Sequence, residues 1–518
     1  MPLAIRNAVY WPLAAGRAIA SAKGPERRNA FAFFALIALF AAVWLAGIST
    51  RATLMGVRLE LVRLGGFSRA IGVSTSTAVG VAFVLLVVAG LYLAAVWFVR
   101  RGFPHSWGIV LVASAVLSVC AMPAMLLSSP DAVHLAADVR TLCLNGTYPA
   151  TREGVPNRQD DPVAQQVIVY HDNQSAYGPV AYAVGCAPLP FVGDGIRANI
   201  LGQKVLYGVL FVVVAGLTGV VARRLGQSPA IASALVGLNP MFLWQFPGDA
   251  HNDVIMVLFG VLALYFLVRG DGLRDKGWAA GMGVLSAASK FGLIISSGIV
   301  FGYWFPRFRT LAAIGSAVLV GAGATGLIVG FGVEGATGLA LNGITGNTPW
   351  NWLIDAFNLE GRQRRTLALF ADLGTVGVTS LILLLHRLKT PQDLVDAIAL
   401  QLALFVFLFT PELRQWYQFW AFPFIILSTR GWLRAGAVTF SLVGFLTVLA
   451  QNFLPAWRDA LGTDHPVEVA VGAVWVITAA VAFVTYRRAQ SGAGQTVKSG
   501  PSRAVRRRQE RRQVVGRT

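Results

Sequence analysis

From residue 30 to residue 486 the chain alternates long apolar runs with short polar breaks. Most runs approach the ~20 residues that carry a helix across a hydrocarbon core of about 30 Å. The pattern predicts helices near 30–49, 78–99, 106–128, 200–222, 230–246, 253–268, 278–289, 291–305, 310–332, 365–385, 393–410, 417–429, 435–454 and 468–486. That makes fourteen spans and puts both termini on one side. An outer-membrane barrel would instead show short segments of alternating hydrophobicity, and none is visible. The expected fold is all-α, a polytopic helical membrane protein with short helices at its outer face.

Loop charge orients the spans. The predicted inner loops carry Arg100-Arg101, Arg223-Arg224, Arg269 with Arg274 and Lys276, Arg307 with Arg309, Arg387 with Lys389, and Arg430 with Arg434. Each is basic, as the positive-inside rule requires. Two stretches test this threading. Residues 278–305 would make one helix of about 42 Å at 1.5 Å per residue, long for one crossing and short for two. A single helix would place the Arg-rich tail outside, so two short helices hinged near Lys290 are expected. Counting 177–193 as a crossing would place Arg223-Arg224 outside, so a helix lying at or dipping into the outer surface is expected there. The resulting organisation is a basic cytoplasmic arm (1–29), a transmembrane domain (30–486) with large outer loops 129–199 and 333–364, and a disordered basic cytoplasmic tail (487–518).

Composition supports this class. Of 518 residues 55% are hydrophobic and 13% charged, and the mean hydropathy is +0.62. These values exclude a soluble globular enzyme, a disordered chain and a secreted disulfide scaffold. The net charge of +19 fits anionic lipid headgroups. No interleaving of aromatic and basic residues points to nucleic acid. The basic N-terminal stretch lacks the apolar region and cleavage site of a signal peptide. Of 24 acidic residues only Glu26, Asp271, Asp275, Asp393, Asp396 and Glu510 fall on the predicted inner side, so polar chemistry is expected outside. Cys143 and Cys186 share that outer side, where a disulfide or two free thiols are both open, and Cys120 reads as membrane packing. No cysteine spacing suits zinc.

Ionisable groups near a bilayer are costly and therefore candidates for function. Five clusters stand out, all at predicted outer ends. Ser129-Pro130-Asp131 opens a stretch in which Asp131, His134 or Leu135, and Asp138 share a helical face if a new helix starts there; Asp131 can cap that helix, act as a base, or both. Asp172 to Pro179 ends in Tyr177-Gly178-Pro179, a turn signal that could lie over a cavity. Pro247-Gly248-Asp249-Ala250-His251-Asn252-Asp253 packs four hydrogen-bonding side chains between two apolar runs, more than helix capping needs. It resembles a metal-ligand set too weakly to assign a metal. Lys290 in Ser289-Lys290 either snorkels or supplies a fixed cation for phosphate. Pro411 to Tyr417 holds Arg414, Gln415 and Trp416, either an interfacial aromatic belt or a phosphate grip. Together they suggest one amphipathic cavity for a lipid phosphate bearing a polar group. A lipid or glycan transporter would show midplane charges or repeat symmetry instead.

Asp131 with Asp138, Tyr177-Gly178-Pro179, Asn239-Pro240 followed by Gly248 to Asp253, Ser289-Lys290 and Gln415-Trp416-Tyr417 occur in that order. This order resembles the integral-membrane GT-C glycosyltransferases, in particular the actinobacterial polyprenyl-phosphomannose-dependent α-(1→6)-mannosyltransferases and their GT87-like cousins. The resemblance covers roughly residues 100–430. It implies a GT-C-like fold in the plasma membrane and inverting transfer of a hexose, mannose first, on the outer face. The donor would be a polyprenyl-phosphate sugar and the acceptor a glycan or glycolipid. Asp131 matches the position of the family's base. Lys290, Arg414 and His251 would stabilise the departing phosphate, with Asn252, Asp253, Asp138, Tyr177, Gln415 and Trp416 lining the site. The resemblance implies no metal and no cofactor. The Asp160-Asp161 pair and the 150–172 insert depart from the family pattern.

Overall fold

The computed structural model describes residues 22, 24–49, 75–123, 131–149, 161–166, 177–308, 310–312, 314–315, 350, 353–354, 357–360, 362–386, 388–410, 414–447 and 466–498. Among the described residues the regular structure is entirely helical. The helices are α1 (Pro25–Trp44), α2 (Thr75–Arg101), α3 (Ser106–Ala121), α4 (Asp131–Asn145), α5 (Pro179–Gly185), α6 (Leu189–Val192), α7 (Ile196–Arg224), α8 (Pro229–Gly237) and α9 (Pro240–Leu243). They continue as α10 (Asp253–Arg269), α11 (Leu273–Ser289), α12 (Ser297–Trp304), α13 (Arg362–Leu385), α14 (Pro391–Leu404), α15 (Gln418–Leu427), α16 (Gly431–Val443) and α17 (Pro466–Lys498). Prolines open α1, α5, α8, α9, α14 and α17, where the missing N–H belongs to a group with no partner inside the helix.

Five helical segments among the described residues are long and apolar enough to cross a membrane: Pro25–Gly47, Val79–Arg101, Ile196–Arg224, Pro391–Phe409 and Val469–Ser491. A sixth is possible if Pro240–Gly248 and Asp253–Arg269, bent by 117°, form one broken span. Phe83, Leu86, Val119, Val476 and Phe483 are all more than 60% exposed, which suits a lipid-facing surface and not a water-facing one. The chain is a helical membrane protein.

α7 is the central post. It packs on α3, α8 and α10, and α10 forms an antiparallel hairpin with α11 through the short Gly270–Gly272 connection. An ion pair between Arg269 and Asp275 closes that connection. The aromatic core lies where α7, α9 and α15 meet. There Phe419 stands 4.4 Å from Phe246, 4.8 Å from Phe242 and 5.8 Å from Phe211 between ring centroids.

Several expected elements differ in detail. The run 230–246 is not one helix. α8 stops at Gly237, because Asn239 and Pro240 start a new one. The Asn239 side chain accepts from the Met241 N–H and donates to Ser441 Oγ at 2.8 Å, pinning the joint to α16. The stretch 278–305 breaks at Lys290 as its hinge required, with Lys290 extended at φ −164° and ψ 146°, although α11 already begins at Leu273. The segment 177–193 is two short helices separated by a turn at Cys186–Pro188. α7 and α17 run past the expected 200–222 and 468–486 limits. Most of the 310–332 span, the ends of the spans at 124–128 and 448–454, parts of both outer loops, most of the basic arm and residues 499–518 lie outside the described residues.

Candidate active site

Five segments converge where α10 begins and α11 ends: the first turn of α4, Tyr177-Gly178 before α5, the 249–253 turn, Ser289-Lys290, and Arg414–Trp420. Local sequence explains each placement. Gly178 is required by space: a Cβ there would stand 2.0 Å from the Ala288 carbonyl oxygen. The bare backbone lets the Gly178 N–H donate to Ser289 O at 3.0 Å, which locks Tyr177 beside Lys290. Tyr148 Oη donates to the Tyr177 carbonyl at 2.6 Å from the other side. In the 249–253 turn, Ala250 holds the left-handed φ of 58°, a conformation that costs a non-glycine residue roughly 1–2 kcal/mol. That turn brings Asp249, His251, Asn252 and Asp253 together, all of them buried.

Lys290 and Asp253 form the centre. Lys290 Nζ donates to Asp253 Oδ1 at 2.8 Å, and Trp420 Nε1 donates to the same oxygen at 2.7 Å. Lys290 Nζ also lies 4.9, 4.7 and 5.0 Å from the ring centroids of Tyr177, Tyr417 and Trp420, within the range of cation–π attraction. Lys290 is therefore a caged and ion-paired cation, not a bare one, and a phosphate there would share it with Asp253. The Tyr177 phenol is pushed well above its ordinary value by burial, then by Asp131 and Asp253, so it stays a neutral donor.

Asp131 is the first residue of α4, where a carboxylate also suits the helix dipole. Its Oδ2 stands 4.0 Å from His251 Nδ1. The His251 ring stacks on Trp416 at 3.8 Å between centroids, so the imidazole is fixed on one face. Lys290 and Arg414 both act electrostatically on His251, which places all three in one neighbourhood. The Asp131 side chain is 25% exposed. Asp138, Asp249 and Asp253 are essentially inaccessible.

Two side chains look kept for a ligand. Asn252 sits at the start of α10 without capping it, and both its polar side-chain atoms lack a hydrogen-bond partner among the described residues. Asp253 Oδ2 is in the same state. Buried polar atoms without partners are rare and call for an explanation, of which a missing ligand is one.

Other expected residues have different surroundings. Asp138 lies two turns along α4, with His134 Nδ1 at 3.2 Å and Tyr182 Oη at 3.5 Å, inside the α4–α5 contact. Gln415 Nε2 donates to Thr447 Oγ1 at 2.7 Å. Asp161, of the Asp160-Asp161 pair, is a structural residue: Arg140 Nε reaches both its oxygens at 3.0 and 2.8 Å, and its Oδ1 accepts from the Val163 and Ala164 N–H groups. Arg140 also binds Asp194 at 2.6 Å and Gly193 O at 3.0 Å. Cys143 and Cys186 are bonded, with Cα atoms 6.1 Å apart, and tie α4 to the end of α5. Pro411–Leu413, Asp160 and Asp172–Ala176 lie outside the described residues. Among the described residues no group of three or more His, Cys, Asp or Glu side chains could hold a metal ion.

Trp420 and Lys204 escaped the sequence reading, and Tyr417 was read there only as the end of the Pro411–Tyr417 cluster. Trp420 and Tyr417 complete the Lys290 cage; the i, i+3 spacing of the two was the available signal. Lys204 is buried inside α7, donates to Met122 O at 3.1 Å and is acted on by Asp249. A lone lysine in an apolar run was its only trace.

Residues 30–306 match a family model described as alpha-(1->6)-mannopyranosyltransferase, N-terminal domain. The chain belongs to that family. The matched region holds Asp131, Asp138, Tyr177, His251, Asn252, Asp253 and Lys290, while Arg414, Gln415 and Trp416 follow it. Among curated relatives, alpha-(1->6)-mannopyranosyltransferase B of Corynebacterium glutamicum is 26% identical over 331 residues, covering 57% of this chain and 54% of the relative. Alpha-(1->6)-mannopyranosyltransferase A of the same organism is 23% identical over 207 residues, covering 37% and 40%. The matches thus span about half the length of the relatives. No solved structure matches the chain.

Proposed function

We propose that this chain is an inverting GT-C glycosyltransferase. It transfers mannose from a polyprenyl-phosphate donor to a glycan or glycolipid acceptor on the outer face of a bacterial plasma membrane. Family membership supports the sugar. The basic residues of the loops that the sequence reading places inside, and the acidic bias of the loops it places outside, support the outer site. The observation that carries the catalytic assignment is Asp131: among the described carboxylates of the cluster it is the accessible one, beside His251 and within the family-matched region.

In this mechanism Asp131 removes the proton from an acceptor hydroxyl as that oxygen attacks the anomeric carbon. The bond from the anomeric carbon to the phosphate oxygen breaks, and the lipid phosphate leaves with the electron pair. Charge at the anomeric carbon is oxocarbenium-like, by analogy with glycoside chemistry. Arg414, His251 and the Lys290–Asp253 pair face the departing phosphate, and Asn252 offers its amide to the sugar or the phosphate. Binding residues Tyr177 and Trp416 orient Lys290 and His251, Gln415 anchors the segment that carries Trp416, and Asp138 positions α4.

The test is transfer by the purified chain in nanodiscs from polyprenyl-phosphate-linked mannose, glucose, galactose and arabinose to mixed glycan acceptors, with and without EDTA. Mannose transfer that persists in EDTA is expected. Transfer of another sugar only, or loss in EDTA, contradicts the proposal.

A further inference from the structure

An apolar cavity of about 150 Å³ lies between α10, α11, α12, α14 and α15. Its wall continues from the segments that hold the Lys290–Asp253 pair. Ser286, whose carbonyl accepts the Lys290 N–H at 3.1 Å, lines it, as do Leu293 just after Lys290, Phe424 one turn beyond Trp420, and Gly260 two turns beyond Asp253. The Ser286 hydroxyl is already used by the Met256 carbonyl at 2.8 Å. The α11 side of the wall is made of small residues, and two of them, Ala280 and Gly283, are exposed. The cavity therefore reaches the protein surface between helices, where a membrane supplies lipid and not water.

We propose that this cavity receives the phosphate-proximal apolar segment of the donor lipid, with the phosphate at Lys290 and Arg414. The inference rests on reading the site as one for a lipid-phosphate-linked sugar. Volume supports it: an apolar cavity of about 150 Å³ in another protein takes benzene, so there is room for about six carbons, close to one isoprene unit. Position supports it as well, since Ser286 and Phe424 of the wall lie one helical turn from Lys290 and Trp420. The rest of the lipid leaves through the opening at Ala280 and Gly283 into the bilayer.

Gly283 permits a clean test, because a Cβ there meets nothing within 4 Å, so Gly283→Leu fills the opening without a backbone clash. Gly281→Leu, equally unhindered and outside the cavity lining, is the control. The probe is polyprenyl phosphate with a diazirine in its first isoprene unit, photolysed in phosphatidylcholine nanodiscs and mapped by peptide mass spectrometry. Labelling is expected on cavity residues between 260 and 304. It should be competed by unlabelled polyprenyl phosphate and not by phosphatidic acid. It should fall about tenfold in Gly283→Leu, as expected for several lost carbon contacts, and stay unchanged in Gly281→Leu. The wild-type map stands even if the leucine variant misfolds. Labelling elsewhere, no labelling, full competition by phosphatidic acid, or equal labelling in a folded Gly283→Leu each overturns the proposal. Mannose transfer is measured on the same nanodiscs: mapped labelling without transfer from any donor counts against the proposed function and leaves the cavity assignment in place.

Discussion

Lys290 and Asp253 are 37 residues apart in sequence and stand 2.8 Å apart, inside a cage of Tyr177, Tyr417 and Trp420. The pair joins the end of α11 to the start of α10 at the point where the Tyr177 and Trp420 segments also meet. It keeps a cation near the site while the local charge stays close to balanced. Its geometry also makes each partner dependent on the other.

Removing one partner leaves an uncompensated buried charge. Lys290→Met and Asp253→Asn should each destabilise the chain by about 3–5 kcal/mol. The double variant should lose less than the sum, with a coupling of about 0.5–3 kcal/mol, because neither charge is then stranded. Thermal unfolding of the two single variants and the double variant in one detergent measures this. Additive losses would show that the two side chains do not depend on each other.

Gly178→Ala should disturb the site through the backbone alone. Its Cβ would press on the Ala288 carbonyl, and overpacking of this kind typically costs about 1–3 kcal/mol. The Gly178–Ser289 hydrogen bond would open and Tyr177 would move off Lys290. Transfer should therefore fall more than stability does. Unchanged turnover in Gly178→Ala would show that the close approach has no role in the chemistry.

The Cys143–Cys186 bond spans 43 residues. A loop of that size corresponds to about 3–4 kcal/mol in the chain-entropy model. Cys143→Ser, or a reductant added to wild type, should lower the unfolding free energy by a similar amount and the unfolding midpoint with it. The reductant should have no further effect on Cys143→Ser.

Alkaline pH should weaken the fold at its polar end. An unfolded tyrosine loses its proton near 10. Burial, then Asp138, pushes Tyr148 up to about 12, and Tyr177 is raised well above its ordinary value too. Above pH ~10 the unfolded chain therefore binds fewer protons than the folded one, and stability falls as pH rises. Below pH ~10 these groups contribute no slope. Tyr148→Phe should make the fall shallower, which the pH dependence of the unfolding midpoint reads directly.

The helical membrane class was legible because apolar runs of the right length have few other fates. The hinge at Lys290 was legible for a related reason: a helix through it would have reversed the loop-charge bias. The break at Asn239-Pro240 was missed, since hydropathy is blind to a cap and the residues around it are apolar. The clusters at Asp131, His251 and Lys290 were visible as polar residues in costly places. Their pairing was not, because Asp253 read as a ligand-binding acid and Lys290 as a free cation until the fold put them in contact. Asp138 and Asp161 are acidic residues in expected outer positions, and packing buries them against His134 and Arg140, contacts that hydropathy does not show. Trp420 falls inside the apolar run 417–429, and its hydrogen bond to Asp253 and its ring beside Lys290 mark it as part of the site.

The most direct measurement is the rate of mannose transfer from polyprenyl-phosphate mannose by wild type and Asp131→Asn in matched nanodiscs. Donor binding and unfolding are recorded for both. With Asp131 as general base, kcat should fall by about 10²–10⁴-fold while the fold and donor binding are retained. Equal kcat in a folded Asp131→Asn variant would contradict the account.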